Sequence, residues 1–225
     1  MKILSNVLYI TSAEAYLSLD GENVVIKKDE HTSTRLPLHN LENIVCFNWQ
    51  GASPALMGAC AERGIGLTFL SPNGRFLGRV IGRVHGNVLL RKKQYFVSEE
   101  ENQCVPIATS FLMGKISNSR KIIERAIRDH ALLVDKDTLG RASAFLKETL
   151  QVLLTCKSIS ELMAFEGSAA KIYFSVFDHL ILQQKEDFYF EERSRRPPLD
   201  NTNSLLSFLY TLLTNEAMSA LEEVG

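Results

Sequence analysis

The chain has 225 residues, of which 45% are hydrophobic and 23% are charged, and its net charge at pH 7 is −1. This is ordinary globular composition, and the length permits one large domain or two small ones. No apolar run approaches the ~20 residues of a membrane-spanning helix, and the start of the chain lacks the long apolar stretch of a signal peptide. The four cysteines are widely spaced with no C-x-x-C pair, which favours free thiols over a zinc or disulfide framework. We therefore expect a cytoplasmic protein with no membrane partner.

Charge is distributed unevenly along the chain. Residues 1–96 contain eleven Lys or Arg and seven Asp or Glu, which gives +4, whereas residues 97–225 contain fourteen and nineteen, which gives −5. Residues 63–98 contain seven basic side chains and no acidic one. A segment of this kind favours contact with a polyanion.

The first 96 residues have the pattern of a β-sheet domain, in which short runs of β-branched and aromatic residues are separated by turn residues. Asp20-Gly21 lies between two such runs and is a hairpin signal. The segment from Ser53 to Arg63 differs, because Pro54 suits a first helical turn and Gly64 suits a helix exit. The runs that predict strands are Ile3–Ile10, Ala15–Leu19, Val24–Lys28, Ile44–Phe47 and Ile65–Leu70.

A four-residue glycine repeat occupies residues 74–89, beginning with the unit G-R-F-L. A period of four fits a strand, because it is twice the side-chain alternation, whereas four glycines would weaken a helix. On such a strand, Arg75, Arg79 and Arg83 share one face. That face is either a ridge that contacts phosphates or a solvated or interface strand.

The rest of the chain has helical periodicity after a polar linker, and Ser158-x-x-Glu161 resembles a capping box. Four apolar stripes predict helices: Leu112/Ile116/Ile123/Ile127, Leu139/Ala142/Leu146/Leu150/Leu153, Leu162/Ala169/Tyr173/Val176/Leu180 and Leu206/Leu209/Leu213/Ala217. A charged loop over residues 186–200 precedes the last stripe. We therefore predict an α+β fold, with an N-terminal β-sheet domain at 1–96, a linker at 97–106 and an all-α C-terminal domain at 107–225.

Glu166 is the most informative carboxylate of the predicted helices. It borders an apolar stripe, and the small residues 167–170 follow it. A carboxylate in this position has to be paired, neutralised or bound to a cation. A glycine in mid-helix, as at Gly167, indicates close approach of another helix or of a ligand. From these residues alone, Glu166 either forms a salt bridge with a Lys or Arg or binds a metal.

Several other side chains near these segments are candidates for binding. Arg193, Arg195 and Arg196 lie on the charged loop, where they would hold phosphates or pair with nearby glutamates. Arg91, Lys92 and Lys93 form a second basic cluster, which either contacts a polyanion or is a solvated strand end. Tyr173 belongs to the core or lies near the site. Asn203 caps the last helix or touches substrate.

Two segments resemble the signatures of one family. Residues 165–174, FEGSAAKIYF, are similar to the E-G-x-A-A-x-x-Y-F signature of the CRISPR-associated protein 1 family. Residues 193–208, RSRRPPLDNTNSLLSF, resemble its R-x-R-R-P-P-x-D-x-x-N-x-L-L-S-F motif. Weaker matches run through the first 96 residues, and in detail the chain looks most like the subtype I-C branch.

This resemblance implies a metal-dependent DNA endonuclease and integrase of CRISPR adaptation, an antiviral defense, which inserts spacer DNA into a repeat array by transesterification. It implies a β-sheet domain that forms a homodimer, and a helical domain that binds Mg²⁺ or Mn²⁺ through a Glu, a His and an acidic residue. The implied partners are double-stranded and branched DNA and CRISPR-associated protein 2. Glu166 matches the catalytic, metal-binding glutamate of the family.

The sequence departs from the family pattern after its last predicted helix. In the family, the His and acidic ligands follow that helix, so residues 1–225 supply one ligand of three and the others are expected beyond Gly225. Because Mg²⁺ prefers near-octahedral oxygen coordination, a lone carboxylate binds it weakly. We therefore expect a truncated form in which catalysis is lost or severely weakened. The alternative function is a non-catalytic, dimeric DNA-binding scaffold.

Overall fold

The computed structural model describes residues 6–28, 33–82 and 88–224. The chain divides into two compact units, residues 1–88 with 208–225 and residues 89–207. The strands described belong to the first unit, whereas the second is helical. The predicted α+β class, with β-sheets followed by helices, is confirmed. Over the described ranges, every helix is too short or too polar to cross a membrane.

The first unit is built on two sheets. One is an antiparallel meander of order β2-β3-β4, and the other has the order β1-β5-β6-β7, in which β7 is antiparallel to β6 and the other pairs are parallel. Each predicted run contains a strand, and β4 was not predicted. The strands are β1 (Val7–Ile10), β2 (Tyr16–Asp20), β3 (Asn23–Lys27), β4 (Ser33–Pro37), β5 (Asn43–Cys46), β6 (Gly66–Leu70) and β7 (Phe76–Val80).

Local signals fix the turn and the helix of this unit as predicted. Gly21 joins β2 to β3 with a φ of +59°, a conformation that favours glycine. The helix α1 spans Pro54–Arg63, and its first turn is capped by Ser53 Oγ, which accepts a hydrogen bond from the Leu56 backbone N–H at 3.2 Å. Gly64 ends the helix with a φ of +67°.

The core of the first unit lies between the sheets and α1. Fully buried side chains from both sheets and from α1 form one cluster, which includes Leu17, Val24, Ile44, Leu56, Cys60 and Leu67. Burial raises the pKa of the Cys46 thiol to about 12 and that of Cys60 to about 11. All four cysteines are free, as predicted, and two of them are fully buried. Both buried thiols are therefore protonated and unreactive at neutral pH.

The second unit is a bundle whose core lies between three long helices. The helices of the chain after β7 are α2 (Val88–Glu99), α3 (Glu101–Asp129), α4 (Lys136–Leu153), α5 (Ile159–Ser175) and α6 (Asn201–Val224). The predicted stripes of α3, α4 and α5 supply the core, in which Ile123, Leu139, Leu146 and Leu153 are fully buried. Ser158 Oγ caps α5 by accepting a hydrogen bond from the Glu161 backbone N–H at 3.2 Å, as the capping box predicts.

Two predictions for residues 74–106 are wrong. The end of the glycine repeat was predicted as strand, but α2 begins at Val88. The predicted linker is also helical, because α2 ends at Glu99 and α3 begins at Glu101. No glycine or proline occurs between positions 88 and 105, and the Arg, Lys and Glu residues there are good helix formers. Residues 89–106 accordingly belong to the helical unit and do not form a boundary.

The predicted apolar stripe of the last helix is also wrong. Leu209 and Leu213 are 49% and 64% exposed. The face that packs on the four-stranded sheet instead carries Phe208, whose ring centroid is 5.6 Å from that of Phe47, and Leu212. Leucines occur on every side of this helix, so its sequence period does not determine which face is buried.

Candidate functional site

Glu166 lies in the middle of α5 and is paired with a cation. One carboxylate oxygen accepts a hydrogen bond from Lys115 Nζ on α3. The side chains of Glu166 and Lys115 are 32% and 55% exposed. The structure thus shows the salt bridge that the sequence left as one alternative, and solvent reaches both partners.

The packing of α3 and α5 explains why these two side chains meet. On α5, Glu166 lies four residues after Leu162 and three before Ala169, both of which are buried in the bundle core. On α3, Lys115 directly precedes Ile116, which is 2% exposed. Each charged residue therefore stands at the edge of a buried stripe, where its helix faces the other.

The space beside Gly167, the residue after Glu166, is open. A Cβ atom added at Gly167 would meet no heavy atom within 4 Å in the structure as described. The close approach of another helix, which the glycine indicated, is therefore not observed, and the ligand alternative stays a prediction. Ser168, the next residue, donates its hydroxyl to the Ala164 carbonyl oxygen at 2.9 Å.

The donor set around Glu166 fits a divalent ion only in part. Carboxylate oxygen is the donor that Mg²⁺ and Mn²⁺ prefer. Outside residues 1–5, 29–32, 83–87, 219 and 222–225, however, no three His, Cys, Asp or Glu side chains come together as a metal site. Glu166 can therefore supply one ligand, and the rest of a coordination sphere has to come from water, substrate or other protein residues.

A second polar cluster surrounds Asn203 in the first turn of α6. This residue is 0% exposed. Its Nδ2 donates to the Glu192 carbonyl oxygen at 2.8 Å and to Asp200 Oδ2 at 2.6 Å. Its Oδ1 accepts from Arg193 Nη1 at 2.8 Å and from the Ser194 backbone N–H at 3.1 Å. All four hydrogen-bonding positions of the amide are used, so Asn203 holds the loop in place.

The predicted capping role of Asn203 is wrong. Asp200 caps α6, because its Oδ1 accepts a hydrogen bond from the Asn203 backbone N–H at 2.6 Å. The motif places the aspartate three residues before the asparagine, which is the spacing of an N-cap and its N3 residue. The prediction gave the cap to the wrong one of two suitable side chains.

The three arginines of the charged loop differ in their surroundings. Arg193 is half-buried, and its guanidinium donates to Asn203, to the Ser194 carbonyl oxygen and to Ser207 Oγ, the last at 3.2 Å. Arg195 and Arg196 are exposed. Neither forms a salt bridge with a residue that the structure describes, so the predicted pairing with nearby glutamates is not found there. Their contact with DNA phosphates stays a prediction.

A groove of about 400 Å³ lies between the C-terminal half of α5 and the charged loop. It begins at Ala170, which is four residues and therefore one helical turn after Glu166. Neither Lys171 nor Lys115 was predicted as a site residue, because neither has a local signal in the sequence. The side chains that give the groove its chemistry are Lys171, Arg193, Arg195, Glu191, Glu192 and Phe174.

Tyr173 belongs to an aromatic cluster of the bundle. Its ring centroid is 5.5 Å from that of Phe174 and 5.8 Å from that of Phe177, in edge-on arrangements. Tyr173 also packs against the core of the helical unit. Of the two alternatives for Tyr173, the structure shows the core position. A role of Tyr173 next to Glu166 stays a prediction.

Two of the three arginines of the predicted ridge lie among the described residues, and the ridge itself stays a prediction. Arg75 precedes β7, whereas Arg79 lies within it, with its guanidinium 6.0 Å from the centre of the Phe76 ring. Arg83 lies outside the described residues.

The second basic cluster is not a strand end, because Arg91, Lys92 and Lys93 lie on α2. Lys92 and Lys93 are exposed and Arg91 is half-buried. The Lys92 Nζ atom stands 5.8 Å from the centre of the Phe96 ring. A role of these three residues in DNA binding stays a prediction.

Comparison with known proteins agrees with the motifs. Residues 8–225 match the model of the family described as CRISPR associated protein Cas1. CRISPR-associated endonuclease Cas1 1 of Chlorobaculum tepidum is 45% identical over 225 residues, which is 100% of this chain and 66% of that relative. The chain therefore spans slightly less than two thirds of this relative's length.

Solved structures share the fold. A casposase bound to integration product superimposes with a TM-score of 0.76 at 18% identity, over 96% of this chain and 61% of that one. A Cas6-RT-Cas1–Cas2 complex matches with a TM-score of 0.71 at 22% identity, over 99% of this chain and 24% of that one. The match over residues 8–225 and the 45% identity to the Chlorobaculum relative lead to one conclusion: the chain belongs to the CRISPR associated protein Cas1 family.

Proposed function

We propose that this protein is a metal-dependent DNA endonuclease and integrase of CRISPR adaptation, in which Glu166 holds a divalent ion, Mg²⁺ or Mn²⁺. The observation that carries the proposal is the setting of Glu166, a carboxylate that is 32% exposed, is paired with one lysine and is followed by a glycine beside which the space is open. A carboxylate in this setting can exchange its cationic partner for a metal ion. The name of the Chlorobaculum relative, an endonuclease, supports the activity.

The proposed reaction is phosphodiester transesterification. The 3′-hydroxyl of a spacer strand attacks a phosphorus of the repeat DNA, a new P–O bond forms, and the displaced 3′-oxygen takes up a proton. A bound divalent ion would stabilise the negative charge that develops on the phosphate and lower the pKa of the attacking hydroxyl. The protein needs no nucleophilic side chain, because the DNA end is the nucleophile. Cleavage is the same displacement with water as the attacking group.

Different residues of this chain would bind the ion and the DNA backbone. Glu166 would hold the ion. Arg195 and Arg196, which are exposed, would bind phosphates of double-stranded or branched DNA. The remaining His and acidic ligands are proposed to lie outside residues 1–225, so that this chain by itself has little or no activity.

We further propose a homodimer formed through the β-sheet unit and a complex with CRISPR-associated protein 2. A solved structure that shares the fold of this chain is named as a complex of Cas1 with Cas2, which supports the second partner. Size measurement by light scattering of the chain, alone and mixed with that partner, tests both assemblies. A monomer that binds no partner would contradict them.

Strand transfer into repeat-containing DNA in the presence of Mn²⁺ tests the activity. The 225-residue chain is compared with the same reading frame extended to the length of its relatives, each with and without Glu166→Gln. We expect activity in the extended form and a loss of about a thousandfold or more in its Glu166→Gln variant, because a ligand of the ion is removed. Glu148→Gln is the matched control, because Glu148 is an exposed carboxylate on α4 and the charge change is the same.

The outcomes separate the enzyme from the alternative scaffold. Activity in the extended form that survives Glu166→Gln would exclude Glu166 as the metal ligand. Salt-sensitive DNA binding without turnover in either form would favour the scaffold, for which the exposed Arg195 and Arg196 provide a DNA-binding surface.

A further inference from the structure

Lys115 is the one cation that contacts Glu166 within the part of the chain that the structure describes. The contact joins α3 to α5 across 51 residues of sequence. Lys115 is 55% exposed, and the neighbouring Ile116 is buried at 2% exposure. The backbone at Lys115 is therefore fixed by the core, while its flexible side chain extends along the surface to the carboxylate.

We propose that Lys115 is a positioning residue of the Glu166 site: it orients the carboxylate when no ion is bound and competes with a divalent ion for the same oxygen. This inference rests on the proposed function, in which Glu166 binds the ion. A divalent ion held on that oxygen would be next to the Lys115 ammonium group. The two cations repel each other, so the ammonium has to leave as the ion binds.

Because the lysine side chain is long and flexible, its displaced ammonium group can reach a second partner. Lysine carries a compact charge on a long flexible chain, and Lys115 is exposed enough to turn towards solvent or towards a bound anion. A DNA phosphate bound beside the ion is an anion of this kind. Lys115 would then exchange Glu166 for the substrate phosphate, so that metal binding and DNA binding favour each other.

Competition predicts that removal of the lysine charge makes the ion bind more tightly while strand transfer becomes slower. Mn²⁺ binding to the isotope-labelled extended form, the same reading frame carried to the length of its relatives, can be followed at the Gly167 amide, because the paramagnetic ion broadens NMR signals close to it. We expect Lys115→Met to lower the Mn²⁺ concentration at half-broadening by about threefold to tenfold, a range that allows for solvent screening. Lys115→Arg keeps the charge and should stay within about twofold of the unmodified chain.

Lys121→Met is the matched control, because Lys121 is exposed on the same helix and its loss changes the net charge equally. We expect it to leave the half-broadening concentration unchanged. An equal tightening in Lys115→Met and Lys121→Met would show a general charge effect and would overturn the inference. Circular dichroism and urea unfolding of each variant establish that the fold is intact.

Glu166→Gln in the same titration separates this inference from the proposed function. If broadening at Gly167 is absent in the unmodified extended form and in its Lys115→Met variant, or is unaffected by Glu166→Gln, the ion does not bind at Glu166 and both ideas fail. If Glu166→Gln weakens broadening but Lys115→Met does not strengthen it, the metal site stands and the competition is wrong. Tighter Mn²⁺ binding in Lys115→Met together with slower strand transfer in the extended form would support the exchange.

Discussion

Two polar clusters of the helical unit are built in opposite ways. Glu166 and Lys115 are partly exposed, and one contact joins them. Asn203 is fully buried, and its side chain uses every hydrogen-bonding position on the loop around it. An exposed ion pair contributes little to stability and can exchange its partner, whereas a buried amide leaves several groups unsatisfied when it is removed. Residues of equally distinctive motifs can therefore serve ligand binding in one case and loop shape in the other.

The same contrast divides the three arginines of the charged loop. Arg193 belongs to the buried cluster, because its guanidinium is bonded to Asn203 and Ser207. Arg195 and Arg196 are exposed on the loop that this cluster holds in place. The first arginine thus stabilises the conformation in which the other two are presented.

The largest effect on stability is expected from Asn203→Ala. The substitution removes the partners of the Arg193 guanidinium, the Ser194 N–H and the Glu192 carbonyl, and buried polar groups without partners are costly. We expect the free energy of unfolding to fall by about 2–4 kcal/mol. Urea unfolding followed by circular dichroism measures this change.

Asn201→Ala is the control for this comparison. Asn201 is exposed at the start of the same helix, and its side chain donates one hydrogen bond, to the Asp187 carbonyl oxygen at 3.0 Å. Its loss should cost less than about 1 kcal/mol. Equal losses for the two asparagines would show that burial of the Asn203 amide does not set the difference between the clusters.

The parts of the fold that were predictable depend on signals within a few residues. Ser53 caps α1 and Gly64 ends it, and Ser158 caps α5, because each acts on backbone groups of its own turn. The face of α6 that is buried depends on a sheet far away in sequence, and the leucines of the helix do not reveal it. Residues 88–99 contain both strand-forming and helix-forming residues. The signal that indicates a helix there is the absence of glycine and proline.

For the candidate site, too, only the residues that are marked by their immediate sequence neighbours were predictable. Glu166 stood out because its place beside an apolar stripe and a mid-helix glycine is a local feature. Lys115 did not, because its partner is 51 residues away and nothing in its own segment marks it. Asn203 was recognised within its motif, but its role depends on a loop that folds back onto the helix.

The next largest effect is expected for DNA binding. Arg195→Ala combined with Arg196→Ala removes two exposed charges, and we expect about tenfold weaker binding at low salt. The slope of log K against log salt should fall by about two units, while the free energy of unfolding stays within about 0.5 kcal/mol. Fluorescence anisotropy over a salt series and urea unfolding measure the two quantities.

For Arg193→Ala we expect the reverse. The free energy of unfolding should fall clearly, and the slope of log K against log salt should change less than in the double variant. If Arg193→Ala instead removed as much salt dependence as the double variant and left stability unchanged, Arg193 would be a phosphate contact. The division of the three arginines would then be wrong.

A smaller effect on stability is expected for Glu166→Gln. The ion pair with Lys115 is partly exposed, and pairs of this kind contribute between zero and about 1 kcal/mol. We expect the free energy of unfolding to change by less than about 1 kcal/mol, measured in the same urea series as Asn203→Ala. A loss as large as that of the asparagine would mean that Glu166 is a structural residue and would remove the contrast between the clusters.

The smallest effect is expected from Asp178, which combines features of both clusters. Its carboxylate is partly exposed like Glu166, but it accepts hydrogen bonds from Lys185 Nζ at 2.6 Å and from the Phe190 backbone N–H at 3.0 Å. Partial burial opposes ionisation, but these hydrogen bonds and the positive charge of Lys185 outweigh it and hold the pKa of the carboxyl below its usual value.

A lowered pKa in the folded state means that the unfolded chain binds the proton more readily. The contribution of Asp178 is therefore present above its ordinary pKa of ~3.9 and is lost as the pH falls through the folded value. We expect Asp178→Asn to be less stable than the unmodified chain at pH 6, and the difference to shrink as the pH approaches 3. Urea unfolding across this range measures it. A difference that is independent of pH would show that Asp178 acts through its shape and not its charge, which would place it with Asn203 rather than between the two clusters.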